Sequence, residues 1–521
     1  MTASDDRGAP SRGDAGWGPD AVILLVAIAA LLIGRIPVMG VRFFDPDELE
    51  HAHAAWSVSR GLVPYRDFFE HHTPWYYYLL SPFFRWFAVD RSFDSARRFL
   101  IFARGVSLVL TALSAWLMFL VGRLAAGRKA GLLAALFLVG QPVVIQKTLE
   151  IRPDVPALPF FLAGLWFLLR GLRAPDGAAS RTARWLFGGG LCFGAAIMCT
   201  QKALFLVPGA VAGLGIWALA GRSRVRILAV AVFLIGIAVP FASTWAAFAA
   251  HGGGEPFIRN NFLLNAHWKA HSSRHLLVVL ETSGPILLLS GVGAWVALQR
   301  FRRDQRRDFG DILLLCTMAG LFAGLLVVPA AYRQYYLMPL PIACVFAAKG
   351  LLFLVERAPR RIRSALFAGA VLALSIWPVV DLARSFTRRD ERQNARLRTV
   401  FERTAPADTV LDGWMGTDVF RPHPLYYFFM HGELRVMLSD AEKDACLTAL
   451  ESGRVAVADR VRRRAGRAGA ALRQLPARPL RERRRGLLRP APVTLERACQ
   501  LQSSVTTTPG ASNAFRSPGT S

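Results

Sequence analysis

Long apolar blocks alternate along this chain with short breaks rich in arginine, and the first block, residues 21–41, is already of membrane-spanning length. A helix rising about 1.5 Å per residue needs roughly 20 apolar residues to cross a hydrocarbon core about 30 Å thick. Reading each block against its breakers predicts about eleven transmembrane helices, near 21–41, 99–121, 130–146, 155–172, 185–200, 203–220, 227–248, 284–299, 311–328, 336–354 and 364–381. The 185–220 block reads either as two helices or as one broken helix. Between the first two helices lies a long segment, 42–98, with two amphipathic, aromatic-rich stretches near 48–60 and 75–87. Such stretches lie in the interface plane, with Trp and Tyr at headgroup depth.

Orientation follows from the breaks, because lysine and arginine in short loops stay on the cytoplasmic side. One alternate set holds Arg123, Arg128 and Lys129, then Arg173, Arg181 and Arg184, then Arg222, Arg224 and Arg226, with Arg300, Arg302, Arg303, Arg357, Arg360 and Arg361 further on. The intervening short breaks hold only Lys147 and Arg152, then Lys202, then Arg333. The polar residues 1–20 are therefore expected in the cytoplasm, and an odd number of spans puts the region after 381 outside. Residues 382–453 are mixed in character and read as a small extracytoplasmic α/β appendage. From 454 to 521 the chain is rich in Arg, Ala, Gly, Pro, Ser and Thr with few large apolar residues, which predicts disorder. The fold class is thus an all-α polytopic membrane protein, 21–381, with an appendage and a tail.

The formal charge of +27 does not change this picture. It sits in the short loops and in residues 454–489, where thirteen arginines face two acids. No helix-turn-helix, zinc-ligand or aromatic-basic pattern accompanies it, so nucleic acid is not an expected partner.

Candidate chemistry gathers on the predicted outer face. Asp45, Asp47, Glu48, Glu50, His51 and His53 follow the first span directly. Charges crowded at a membrane boundary are costly unless paired or used. Pro46 favours an extended Asp45, and Asp47 is placed to cap a helix starting at Glu48. Capping alone is the bland account of Asp47. Further on, Glu70, His71 and His72 offer phosphate or metal contacts, with metal the weaker option, since adjacent histidines lack the i, i+4 spacing of a helical zinc pair. A divalent cation held through the acidic cluster stays open. Arg152 and Asp154 mark the next outer break, where a structural ion pair is the bland account. Lys202 and Arg333 end outer halves of spans, where lysine and arginine commonly snorkel.

The Asp-Glu pair after the first span, the long first loop, the Gly-rich block 188–202 ending in lysine and the Tyr-Arg-Gln-Tyr-Tyr run at 332–336 followed by Pro339 and Pro341 resemble the GT-C integral-membrane glycosyltransferases. The likeness is to bacterial relatives of the protein O-mannosyltransferases and of the aminoarabinose transferases of lipid A. It implies a polyprenyl-phosphate-sugar donor and a lipid, polysaccharide or protein acceptor, in a bacterial inner membrane and among its lipids. It also implies a first-loop aspartate as general base, which falls on Asp47, with Asp45 and Glu48 beside it. Asp154 would support the acceptor. Glu70, His71 and His72 stand where a Glu-x-Lys-like element binds the lipid phosphate, and the missing lysine shifts that task toward Lys202 and Arg333; Arg152 and Tyr336 are further candidate substrate-binding residues. The tail after 454 lies outside the resemblance. Two other classes stay open: a transporter of lipid-linked sugars, for which broken helices and an internal repeat are not evident, and a non-catalytic assembly protein.

Overall fold

The structure, a computed structural model, describes residues 18–458 apart from 176–177, 268–274, 304–307, 329–331, 388, 413–414, 431–433, 435–436 and 453–454. Its α-helices of six residues or more, in chain order, are α1 (Pro19–Val41), α2 (Pro46–Ser59), α3 (Trp75–Leu80), α4 (Phe93–Ala126), α5 (Arg128–Gly140), α6 (Pro142–Lys147), α7 (Asp154–Leu172) and α8 (Ala179–Cys199). They continue with α9 (Leu206–Ala220), α10 (Arg224–Ala250), α11 (His275–Arg303), α12 (Phe309–Val327), α13 (Leu340–Arg357), α14 (Arg363–Ser385), α15 (Glu391–Arg403) and α16 (Asp440–Ser452).

Among the described residues, nine helices are long and apolar enough to cross a membrane. The two other expected spans are helical but interrupted. The 130–146 block breaks at Gln141, whose backbone is extended (φ −66°, ψ 133°) ahead of Pro142, as the ring of a following proline demands. The 336–354 block begins as a 3₁₀ turn, Arg333–Leu337, and α13 carries Lys349 paired with Asp311 of α12. The 185–220 block is two helices, parted at the extended residue Thr200.

Ion pairs report which helix ends lie together. Asp20 meets Lys129 at 2.7 Å, Arg173 meets Asp308 at 3.9 Å and Asp311 meets Lys349, all at the arginine-rich breaks. The first loop, the α6–α7 break and the α8–α9 break gather at the opposite end. Close helix approach relies on small residues: Gly190 of α8 faces Gly236 of α10, and a side-chain carbon at Gly190 would strike the Phe233 carbonyl.

The described residues of 382–458 combine helices and two short strands and pack on the first loop. Strand β1 (Thr409–Leu411) pairs in parallel with β2 (Val455–Ala458), so ordered chain continues past 454, while 459–521 lie outside the described residues. The segment is tied to the first loop by backbone and side chains alike. Phe69 N donates to Tyr426 O at 2.8 Å, the Tyr426 hydroxyl donates to Tyr65 O at 2.6 Å, and Gln393 bonds both backbone groups of Phe44. Val419, Phe420, Phe428 and Phe429 pack with Leu49, Ala52, Phe84 and Phe99 in one apolar cluster. Gly416, at φ +71°, lies against Leu49, where both the backbone angle and the lack of space require glycine.

His53 closes this contact. Its ring stacks on Phe428 with centroids 4.6 Å apart, and Nδ1–H donates to Val419 O at 3.2 Å. Burial, reinforced by nearby His423, pushes the His53 pKa down to about 3, and burial takes His423 to about 4. The stability from a neutral His53 is present above an unfolded pKa near 6.5 and is lost as pH falls below it, at about 1.4 kcal/mol per pH unit. The buried Asp418, whose carboxyl burial and Asp412 push well up, acts in the opposite sense. The informative quantity is therefore the melting difference between wild type and His53→Gln. We expect His53→Gln to be destabilising at pH 7.5 and about 2 kcal/mol less so at pH 5; an equal cost at both values would remove His53 as the titrating group.

Candidate active site at the first-loop end

The site is built on the turn that joins α1 to α2. Asp45 is extended (φ −60°, ψ 140°) and caps α2: its carboxylate accepts from Asp47 N at 3.1 Å, while Glu48 Oε1 accepts from Asp45 N at 2.9 Å. The helix starts at Pro46, two residues earlier than expected, so Asp45 rather than Asp47 is the cap. This frees the Asp47 side chain.

Glu48 is held elsewhere. Its two carboxylate oxygens receive Arg104 Nε and Nη2 at 2.9 and 2.7 Å, and Ile151 N donates to Oε2 at 3.1 Å, all fully buried. Arg104 also donates to the carbonyls of Met39, Arg42 and Phe43 and stacks 3.9 Å over the Phe44 ring. This pair clamps the α1–α2 turn to α4 and to the α6–α7 break. Glu150, equally buried, gathers Arg42 at 2.7 Å, Lys147 at 2.9 Å and Arg152 at 2.9 Å. Lys147 reaches on to Asp45 Oδ2 at 3.4 Å.

Arg152 links these buried groups to Asp47. Its Nη1 and Nη2 both donate to Asp47 Oδ2, at 2.9 and 2.5 Å, leaving Oδ1 without a hydrogen-bond partner among the described residues. The Asp47 side chain is 31% exposed, whereas Glu48 and Glu150 are at 0%. Asp47, Glu150 and further acids raise the proton affinity of Arg152 against its burial. Asp154, at the start of α7, accepts from Lys202 Nζ at 3.1 Å and from Thr200 Oγ1 at 3.2 Å. Lys202 Nζ sits 4.3 Å over the Tyr335 ring, and the neighbouring Tyr336 is buried in the core. Arg333 is exposed at the start of the 3₁₀ turn and has no hydrogen bond or ion pair with another described residue.

A second group lies one turn further along α2. Glu50, Glu70, His71 and His72 bring one ligand-type atom each within 4.8 Å of one another. Glu70 Oε1 accepts from His71 N at 2.8 Å, His72 N at 2.9 Å and His72 Nδ1 at 2.9 Å, folding the turn so that the adjacent rings stand 4.0 Å apart. The two adjacent rings thus lie together although they lack helical i, i+4 spacing, as Glu70 Oε1 gathers both backbone N–H groups. His51 bonds the Tyr77 hydroxyl at 3.1 Å and meets His72 edge-on. Burial pushes the Glu50 carboxyl well up, with Glu70 and Asp47 adding like-charge repulsion and Arg152 opposing them. Burial likewise pushes Glu70 up and His51 well down.

The structure thus brings Asp45, Asp47, Glu48, Arg152, Asp154 and Lys202 to one end of the bundle; sequence reasoning named Glu50 in the acidic run without giving it a role, and missed Arg42, Arg104, Tyr77 and Tyr335. Arg104 had a signal: a guanidinium inside the 99–121 block has to be paired. Glu50 had one too, since i and i+3 share a helix face and Asp47 stands three residues before it.

A family model described as dolichyl-phosphate-mannose-protein mannosyltransferase matches residues 71–247, a stretch that includes His71, His72, Arg152, Asp154 and Lys202. ArnT from Cupriavidus metallidurans bound to undecaprenyl phosphate superposes with a TM-score of 0.58 at 13% identity, over 83% of this chain and 92% of that one. AglB, the oligosaccharyltransferase of Archaeoglobus fulgidus, in complex with an inhibitory peptide and a dolichol-phosphate, gives 0.52 at 12% identity, over 78% and 64%. No curated protein matches the chain. At these identities the likeness is one of fold, and the fold is that of the GT-C membrane glycosyltransferases.

Proposed function

We propose, from the GT-C fold and the side chains at its first-loop end, that the protein transfers a sugar from a polyprenyl-phosphate donor to an acceptor hydroxyl on the extracytoplasmic side of a bacterial inner membrane. The observation that carries this reading is Asp47. It is the carboxylate of the Asp45–Glu50 run held by an arginine through one oxygen only, with its other oxygen unengaged and its side chain partly exposed. A base must be within reach of the proton it takes and anchored against drift.

In the reaction, the acceptor oxygen attacks the anomeric carbon as its proton passes to Asp47 Oδ1. The bond from that carbon to the phosphate oxygen breaks, and the polyprenyl phosphate leaves from the opposite face with the electron pair, inverting the configuration. Arg152 positions Asp47. Lys202, beside Asp154 and Tyr335, and Arg152 offer positive charge to the departing phosphate, where preorganised cations act most strongly. ArnT and AglB, whose structures hold undecaprenyl phosphate and dolichol-phosphate, support a lipid phosphate as a ligand of this protein. Asp154 is proposed to orient the acceptor, which is a lipid, polysaccharide or protein. Glu48 is assigned to the clamp with Arg104 rather than to chemistry, and Asp45 to capping.

Purified protein given a labelled polyprenyl-phosphate sugar and envelope acceptors should move the label and release polyprenyl phosphate. Lys202→Met should raise the donor KM about tenfold or more, the cost of one charge-assisted contact. Label that crosses a vesicle bilayer without leaving its lipid would favour a transporter. Donor binding with no turnover on any acceptor would favour an assembly protein.

A further inference from the structure

We infer that the cavity between the α10–α11 loop and residues 427–442 is a saccharide subsite that grips the acceptor away from its reacting hydroxyl. This rests on the transfer reaction proposed above and narrows its acceptor to a glycan. The cavity measures about 300 Å³, and its walls include Phe69, Arg259, Asn260, Leu263, Tyr427 and Glu442. That is the lower end of the size of small-molecule sites, so it holds a short stretch of an acceptor and not the whole of one.

The loop side of the cavity has an unusual backbone. Residues 254–266 are helical, and the middle turn, Arg259–Leu263, is a π turn. Such turns are rare and frequent at functional sites, and here Arg259, Asn260 and Leu263 of that turn all border the cavity. Asn265 fastens it: Nδ2 donates to Asn261 O at 2.9 Å and lies 3.2 Å from Asn260 O. The same amide reaches His71 O at 2.8 Å, which pins the π turn to the 70–72 turn of the candidate active site.

The chemistry of the wall suits a sugar ring. Arg259 Nε donates to Asn260 Oδ1 and Asn260 Nδ2 to the Tyr426 hydroxyl, each at 3.4 Å, long enough to leave both side chains free for stronger partners. Asn260 is 2% exposed, so it is held in place while it waits. Glu442 is fixed by the Tyr427 hydroxyl and by Ser439 N and Oγ, the latter two at 2.8 and 2.7 Å. Donors and acceptors thus stand side by side, and a hydroxyl is both. Arg259 and Glu442 bring opposite charges, which gives a polyanion little to gain. The rings of Phe69 and Tyr427, with centroids 4.9 Å apart, add an apolar face for a pyranose. An acyl chain would instead desolvate Arg259 and Asn260 without repaying them.

Phe69 also sets the distance from the chemistry. Its ring stacks on His71 with centroids 5.8 Å apart, His71 Nδ1 is 4.0 Å from Glu50 Oε1, and Glu50 is three residues beyond Asp47 on α2. The path of contacts from cavity to Asp47 runs through these side chains, so the sugar in the cavity is not the one that meets Asp47. A grip of this kind holds the acceptor equally before and during reaction, and it sets KM rather than kcat.

The test uses the full chain in detergent, a labelled polyprenyl-phosphate sugar, and an envelope polysaccharide with the oligosaccharides that partial acid hydrolysis releases from it. Arg259→Gln should raise the KM for these acceptors about tenfold or more, the worth of a hydrogen bond to a charged group, with donor KM and kcat at saturating acceptor near wild type. Leu263→Trp, at a side chain 56% exposed, narrows the cavity and should act in the same sense. Calorimetric titration of the oligosaccharides into donor-free protein should show binding by wild type, weakened about tenfold or more in Arg259→Gln. Elution volume and helical dichroism follow folding, and Leu263→Trp with the wild-type titration decides the matter if Arg259→Gln fails to accumulate. Variants with wild-type KM and affinity, a loss of kcat at unchanged KM, or competition by envelope peptides and not by oligosaccharides would overturn the subsite. Wild type that transfers to no acceptor yet binds the oligosaccharides through Arg259 would sink the transfer reaction while upholding the cavity as a saccharide site.

Discussion

Asp47→Asn is expected to lower kcat for sugar transfer by at least the 10²–10⁴-fold that general-base help contributes, with donor KM and melting temperature close to wild type. Asparagine keeps the shape and an oxygen for Arg152, and Glu150 still holds that guanidinium at 2.9 Å. Only the capacity to take a proton is lost. Asp45→Asn makes the control, because asparagine caps a helix about as well as aspartate and Asp45 already spends its carboxylate on Asp47 N and Lys147. Turnover by Asp47→Asn near the wild-type rate, measured with saturating donor, would take the residue out of the mechanism.

Arg104→Leu is expected to act on assembly instead. Glu48 and Arg104 are fully buried, and removing one member of a buried pair costs about 3–5 kcal/mol, because the other charge is stranded. Three carbonyls, of Met39, Arg42 and Phe43, lose their donor in the same step. The variant should yield little monodisperse protein and melt well below wild type in detergent. Adding Glu48→Leu should recover only part of the loss, since it removes the stranded carboxylate but not the bare carbonyls. A single variant that melts like wild type would refute the clamp.

The spans were legible because apolar block length is a strong signal, and all eleven expected segments are helical in the structure. Where the reading blurred, a local cause can be named: Gln141 extended ahead of Pro142, and Lys349 inside α13 with its partner on α12. The carboxylate run after the first span was legible as a cluster, but its division of labour was not. Asp45, Asp47, Glu48 and Glu50 look alike in sequence, and what separates them is the partner each one meets: Lys147, Arg152, Arg104, or the histidines across the turn. The lysine and arginine partners lie 102, 105 and 56 positions away along the chain, and no local pattern encodes them. The contact between the first loop and residues 382–430 was hidden for the same reason. Its members, such as Leu49 with Phe420, are ordinary apolar residues whose pairing depends on how the whole bundle brings the chain ends together.

That contact bears on biosynthesis. The loop bearing Asp47 leaves the ribosome early, yet it is covered by Val419, Phe420 and Phe428 and stitched to Tyr426, which are made only after the last hydrophobic segment has been inserted. A nascent chain therefore holds every proposed reactive group long before it holds the cover that presses them into register. Ribosomes that stall between Ser385 and Met430 would leave behind an inserted product whose first loop lacks this cover, so the proposed activity is expected only of the chain made through Met430.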